Sequence, residues 1–344
     1  MLKRADVRLL CPLYDAQMHR RRLVQAFAGI AGCAILGRAA GQAQPKYRLG
    51  YLNPNSPRVS PQTLGALLNG LKNAGLSSGV DFRLDERWAG GSPERLRAAA
   101  AELVSLAPNV IVASSTQAAL AACQATRIIP VVFVNVSNPV DLGIVKTLRE
   151  PGGNATGITT LGDELMSKLL ELALALVPSL SRLGVLVNPD DSTTRQHLRN
   201  FETAAKPRAV RYDTHQVSRA ADLKAVFDHL AKVGANLAIV TPQPVFFAAA
   251  RDVAGASLAS RVPAVSPYRE LTEVGGLASY GSSISGNHVR AAALVAKILR
   301  GAQPAQLSVE QPTEYELALN RRTAAALRVA IPEQLLVRAD AIVD

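Results

Sequence analysis

The clearest signature in the chain is Asn109-Val110-Ile111-Val112-Ala113, then Ser114-Ser115-Thr116, then the Ala-rich run 117–125, then Pro130-Val131-Val132-Phe133-Val134. Two short apolar runs without alternation flank a segment of helical composition. Strands apolar at every position are buried on both faces, so the unit reads as strand, helix and parallel strand. Outward from it the same alternation repeats. Strands are expected over 47–53 and 82–88, with helices over 61–74 and 93–106. After Pro151-Gly152-Gly153-Asn154 a second set follows, with strands over 182–187, 210–217, 237–240 and 262–265. Its helices are expected near 163–177, 192–205, 220–232 and 244–259. This predicts an α/β chain of two doubly wound lobes, each of parallel strands covered by helices on both faces.

Composition agrees. At 344 residues, 48% hydrophobic and 19% charged, the chain exceeds the usual span of one core and holds enough apolar material for two. Three cysteines, Cys11, Cys33 and Cys123, make no disulfide framework and no zinc pattern. Cys123, in its Ala-rich helix, reads as a buried structural thiol. The formal charge is +11, but residues 1–43 carry seven basic against two acidic residues. The remaining excess is dispersed and lacks a basic run with interleaved aromatics, so nucleic acid is not an expected partner.

The front end reads as an export signal: a basic head at Arg20-Arg21-Arg22, an apolar middle over 23–36, and small residues in Gly41-Gln42-Ala43. Cleavage after Ala43 would start the mature chain at Gln44. Ile30-Ala31-Gly32-Cys33 offers the alternative of a lipid anchor at Cys33, and the Arg run also fits a twin-arginine signal loosely. Residues 1–17, ahead of Met18, fit no part of this pattern. Either route places the protein outside the cytoplasmic membrane, in the periplasm.

In doubly wound sheets ligands bind beyond the carboxyl ends of the strands. The turns there are rich in neutral hydrogen-bonding groups, which suit a small polar molecule. The candidates are Asn53, Ser115, Thr116, Asn135, Ser137 and Asn138 in the first lobe. In the second they are Asn188, Thr241, Gln243 and Tyr268. Ser115 and Thr116 open a helix, where free N–H groups favour an anion such as a carboxylate. The competing reading is that one of them only caps that helix. Tyr268 is expected on the facing wall.

Catalytic machinery is not assembled. His197, His215, His229 and His288 stand apart without metal spacing, and Gly75-Leu76-Ser77-Ser78-Gly79 ends a helix instead of opening one. No Walker loop and no Gly-x-Gly-x-x-Gly follows the first strand. Asp190-Asp191 offers the residue types of a paired-carboxylate site, but after Asn188-Pro189 the pair reads as the opening and cap of a helix. No catalytic residue, metal or cofactor is expected.

Several blocks, in order, carry a resemblance. They are Arg48-Leu49-Gly50-Tyr51-Leu52, Arg87-Trp88-Ala89-Gly90-Gly91, Ala101-Glu102-Leu103-Val104, Ile129-Pro130-Val131-Val132-Phe133-Val134 and Asn138-Pro139-Val140. Further on stand Pro151-Gly152-Gly153-Asn154-Ala155-Thr156-Gly157 and Gly275-Gly276-Leu277-Ala278-Ser279-Tyr280-Gly281. The last are Lys297-Ile298-Leu299-Arg300-Gly301-Ala302, Gln311-Pro312-Thr313-Glu314-Tyr315-Glu316-Leu317 and Arg338-Ala339-Asp340. This ordered set, over 47–344, resembles the ABC-transporter substrate-binding proteins with a type I periplasmic-binding fold, a family that includes tryptophan/tyrosine-binding members.

The resemblance implies two Rossmann-like lobes joined by a hinge, closing on a solute and presenting it to the permease subunits of an ABC importer. It implies crossings near 156–160, 279–284 and 308–313. Lobe 1 is then 44–158 with 284–308, and lobe 2 is 159–283 with 309–344. A monomer is expected, with a small polar ligand such as an amino acid or related carboxylate. Two departures weaken the amino-acid reading. Ser115-Thr116-Gln117 stands where many relatives have Gly-Thr-Pro, and Asn138-Pro139 where they have Asp-Pro. The alternatives are an enzyme on a two-lobed α/β scaffold, and the effector-sensing half of a regulator without its DNA-binding part.

Overall fold

The computed structural model describes residues 44–160, 162–312 and 314–344. The expected export signal, its expected cleavage site and the alternative anchor residue Cys33 lie outside the described residues.

The first sheet is built from β1 (Tyr47–Asn53), β2 (Phe82–Trp88), β3 (Val110–Ser114), β4 (Val131–Ser137) and β5 (Ala155–Thr160). They are ordered β2-β1-β3-β4-β5 and all parallel. The connecting helices are α1 (Pro61–Asn73), α2 (Pro93–Ser105) and α3 (Thr116–Ala125). Every residue of β3 is buried, as its unbroken apolar run requires. One face carries Leu52, Ile111 and Phe133 against α2 and α3, together with Cys123, whose thiol burial pushes up to about 11. The other face carries Tyr51, Val112 and Val134.

The chain then enters a second sheet through α4 (Gly162–Leu176), β6 (Leu183–Val187), α5 (Thr194–Ala205), β7 (Tyr212–Gln216) and α6 (Leu223–Lys232). It continues with β8 (Leu237–Val240), α7 (Pro244–Ala248), α8 (Ala250–Ser260), β9 (Ala264–Ser266), α9 (Arg269–Glu273) and β10 (Ala278–Gly281). After α10 (Ile284–Leu299) come β11 (Glu316–Asn320), α11 (Arg321–Leu327), α12 (Glu333–Arg338) and β12 (Ala341–Val343). The strand order is β12-β11-β10-β9-β8-β6-β7.

Helix α10 leaves the second sheet and packs on α1, burying Ala291, Ala292 and Val295 beside Leu67 and Leu71. The crossing is tight because Gly70 has no side chain. A Cβ there would lie 2.7 Å from both the Ala292 Cβ and the Val289 carbonyl oxygen. The return segment runs beside β5, where Glu310 N–H donates to the Gly157 carbonyl and Thr159 N–H to the Glu310 carbonyl, each at 2.9 Å.

Three expectations are corrected. Not all strands are parallel: β11 runs antiparallel to β10, because the returning chain enters the sheet from the opposite end. The helix expected over 244–259 is two, broken at Ala249 (φ −99°, ψ 24°), which turns Phe246 and Phe247 inward before α8 begins. Strand β4 runs on to Ser137 through a bulge at Asn135 (φ 59°), where its register with β5 shifts. Asn135 and Ser137 therefore belong to the strand and not to the turn after it.

Candidate functional site

Between the carboxyl ends of the two sheets lies a hollow with a cavity volume of about 70 Å³. Asn53, Ser114, Ser115, Thr116, Gln117 and Asn135 line it from the first sheet. Asp191, Thr193, Phe247 and Tyr268 line it from the second.

The first wall is a chain of committed hydrogen bonds. The Thr63 hydroxyl donates to the Ser60 carbonyl at 2.7 Å, so toward Tyr51 it accepts, and the Tyr51 hydroxyl donates to it at 2.8 Å. Tyr51 in turn accepts from Asn53 Nδ2 at 2.9 Å, while Asn53 Oδ1 accepts from Asn55 N–H. This fixes the Asn53 amide and leaves its second N–H unspent by these bonds. Ser114 Oγ lies 2.9 Å from Nε2 of His288, a wholly buried residue of α10.

At the next turn Ser115 has φ 117° and ψ 167°, a conformation left almost entirely to glycine. Its Oγ accepts from Ala118 N–H at 3.3 Å and so caps α3. Thr116 Oγ1 accepts from Ser137 N–H at 3.2 Å, tying the α3 start to the β4 bulge. The first N–H groups of α3 have no acceptor within the helix and carry its positive dipole end. Asn135 Oδ1 accepts from Asn287 Nδ2 at 2.6 Å, which also reaches Ser282 Oγ at 3.1 Å, so the bulge is fastened to the start of α10.

The second wall supplies charge. Asp191 is 5% exposed. Its Oδ1 accepts from Thr193 N–H at 2.9 Å and from the Thr193 hydroxyl at 2.6 Å. Oδ2 accepts from Gln117 Nε2 at 3.0 Å, a direct bond from α3 of the first sheet to the loop after β6 of the second. Burial pushes the Asp191 carboxyl above the usual carboxylate range, against the pull of the Thr193 bonds. Beside it Phe247 and Tyr268 meet edge to face, centroids 5.3 Å apart, as an aromatic wall. Burial, and then the negative charges of Asp191 and Glu270, hold the Tyr268 phenol well above its ordinary value.

Of the residues expected from sequence, Asn53, Ser115, Thr116, Asn135 and Tyr268 line this hollow. Ser137 and Asn138 line a groove along one edge of the cleft, and Asn188 a groove along the other. Thr241 and Gln243 are corrected. Both are wholly buried inside the second lobe. Thr241 donates to the Leu186 carbonyl at 2.8 Å, while Gln243 Oε1 accepts from Asn188 N–H and its Nε2 donates to the Thr194 hydroxyl, each at 2.6 Å. Their polar groups brace the loop after β6, inside the lobe and away from the hollow. Asp191, Ser114, Gln117 and Phe247 were not among the expected residues. Ser114 stood in the right turn. Asp191 stood in a pair read as a helix opening and cap, and only the opposing lobe makes it part of a site.

Comparison with known proteins follows the same lines. A curated tyrosine-binding protein of Clostridioides difficile (strain R20291) is 25% identical over 267 residues, covering 76% of this chain and 74% of that one. A conserved domain protein of Vibrio cholerae O1 biovar El Tor is 26% identical with a TM-score of 0.81, over 86% of this chain and 99% of that one. The structure of an ABC domain in complex with L-Trp from Streptococcus pneumoniae superposes with a TM-score of 0.79 at 22% identity. It covers 87% of this chain and all of that one. Its fold is that of the two-lobed type I periplasmic-binding proteins. The sequence pattern of one family matches residues 60–343, and the chain belongs to that family, the ABC transporter substrate binding proteins.

Proposed function

We propose that the chain is an exported receptor that closes two lobes on a free amino acid and delivers it to the permease of an ABC importer. Lobe 1 would be 44–158 with 284–308, lobe 2 the remainder of the mature chain, and the working form a monomer in the periplasm. One observation carries the reading: the hollow has a helix N-terminus on one side and a buried carboxylate on the other. An α-amino acid is a zwitterion, and these are the complements of its two charges. The first N–H groups of α3 suit the carboxylate. Asp191 suits the ammonium, taking the part that an Asp at position 138 would offer in relatives. Phe247 and Tyr268 give an apolar face for the side chain. The relatives that bind tyrosine and L-Trp support an aromatic solute.

Because the lobes already touch through Gln117 and Asp191, solute entry requires their separation and solute contact with both favours reclosure. Thermal-shift measurement of residues 44–344 against amino acids, sugars, nucleosides and organic acids tests the reading. An amino acid at 100 times its Kd adds about 2.7 kcal/mol of stability without being consumed. Turnover of the solute, or stabilisation only by a sugar or nucleoside, would overturn it.

A further inference from the structure

Resting on that amino-acid reading, the hydrogen-bond chemistry around Ser114 goes further and says which group of the solute the first lobe reads. His288 Nδ1 lies 2.8 Å from the Ile284 carbonyl oxygen. A carbonyl only accepts, so Nδ1 carries the hydrogen. Burial holds the ring's pKa down to about 4, so near neutral pH the imidazole is uncharged and Nε2 is a bare acceptor. The 2.9 Å contact at Nε2 is therefore donated by the Ser114 hydroxyl. Tyr51, whose hydroxyl also lies beside Ser114, has spent its own hydrogen on Thr63. Toward Ser114 it too can only accept.

Both inner neighbours thus draw the single Ser114 hydrogen away from the hollow. What Ser114 turns toward the hollow is lone pairs. We infer that Ser114, with its hydrogen committed to His288, is a specificity-determining acceptor that demands a donor on the solute: it reads the α-ammonium and rejects a carbonyl there. His288 is a positioning residue that acts through Ser114. Asp191, likewise acceptor-only when ionised, repels the same acceptor-bearing solutes from the opposite wall.

Two measurements test this, one with a solute and one without. The first is the one-bond 15N–1H coupling of the His288 ring in the unliganded protein. It should appear at Nδ1 and be absent at Nε2, whatever the solute is, and a protonated Nε2 overturns the inference. The second is titration calorimetry with L-phenylalanine, L-tryptophan and phenylpyruvate, the α-keto analogue of the first. Ser114→Ala should weaken the amino acids by about 5- to 150-fold. His288→Phe combined with Tyr51→Phe removes both inner acceptors and frees the Ser114 hydrogen, so the preference for phenylalanine over phenylpyruvate should fall at least tenfold. His288→Gln, whose carbonyl can accept that hydrogen in place of Nε2, should keep it. An unchanged preference in the double variant, His288→Phe with Tyr51→Phe, overturns the inference. If no amino acid binds at all, the proposed solute is wrong, and the tautomer alone decides whether Ser114 is acceptor-only.

Discussion

Ser115→Gly is expected to make the protein more stable. At φ 117° and ψ 167° the serine backbone sits where a Cβ is disfavoured, at a cost of about 1–3 kcal/mol. Glycine removes that strain. Against it stand two losses: the Oγ cap on Ala118 N–H, worth only a few tenths of a kcal/mol when serine gives way to glycine, and the greater freedom of the unfolded chain, about 0.4–1 kcal/mol. The balance runs from about zero to a gain of about 2 kcal/mol, centred near 1 kcal/mol. In urea, with a slope of about 3 kcal/mol/M, the midpoint rises by up to roughly 0.7 M. The same variant decides what the hydroxyl does. If it only caps α3, solute affinity stays within about twofold, whereas a direct solute bond would cost about 5- to 150-fold. A midpoint lowered by an amount equivalent to about 1 kcal/mol or more would refute the strain argument.

Affinity for an amino acid should be level at higher pH and fall as pH drops through the raised pKa of Asp191. The free protein there takes up a proton that ammonium binding must expel. Asp191→Asn should lose that slope in pH-dependent titration, and a rise in affinity on acidification would contradict the assignment. Gln117→Ala, which removes the direct bond between the lobes, should enlarge the radius of gyration of the unliganded protein in small-angle scattering and leave the saturated one unchanged. Identical unliganded profiles would show that this bond does not hold the lobes. Gly70→Ala, whose methyl would sit 2.7 Å from the Val289 carbonyl oxygen, should cost about 1–3 kcal/mol in urea unfolding, and a neutral result would mean that α1 and α10 part freely.

The parts of this fold visible in sequence are those fixed by local chemistry. β3 and β4 declare themselves because a strand covered on both faces must be apolar throughout, and α3 because Ser-Ser-Thr precedes an Ala-rich run. The tail is less legible. β11 and β12 are short strands of five and three residues, and β11 reverses direction only because the chain re-enters its sheet after α10. The site divides in the same way. The end of β1, the turn after β3 and the bulge within β4 supplied Asn53, Ser115, Thr116 and Asn135. Gln243 looked equivalent, yet its amide is long enough to fold back and bridge Asn188 to Thr194. Asp191 was read as a helix cap, and it does hold Thr193. Its other oxygen meets Gln117 across the cleft, a contact set by tertiary packing alone.

The most direct test of the central claim is a crystal structure of residues 44–344 grown with L-tryptophan. The account predicts one molecule in the hollow, its carboxylate at the first N–H groups of α3 and its ammonium within hydrogen-bond reach of Asp191 and Ser114. Its ring should lie against Phe247 and Tyr268. An occupied hollow with the two charged ends reversed, or tryptophan bound only in a groove outside it, would contradict the account.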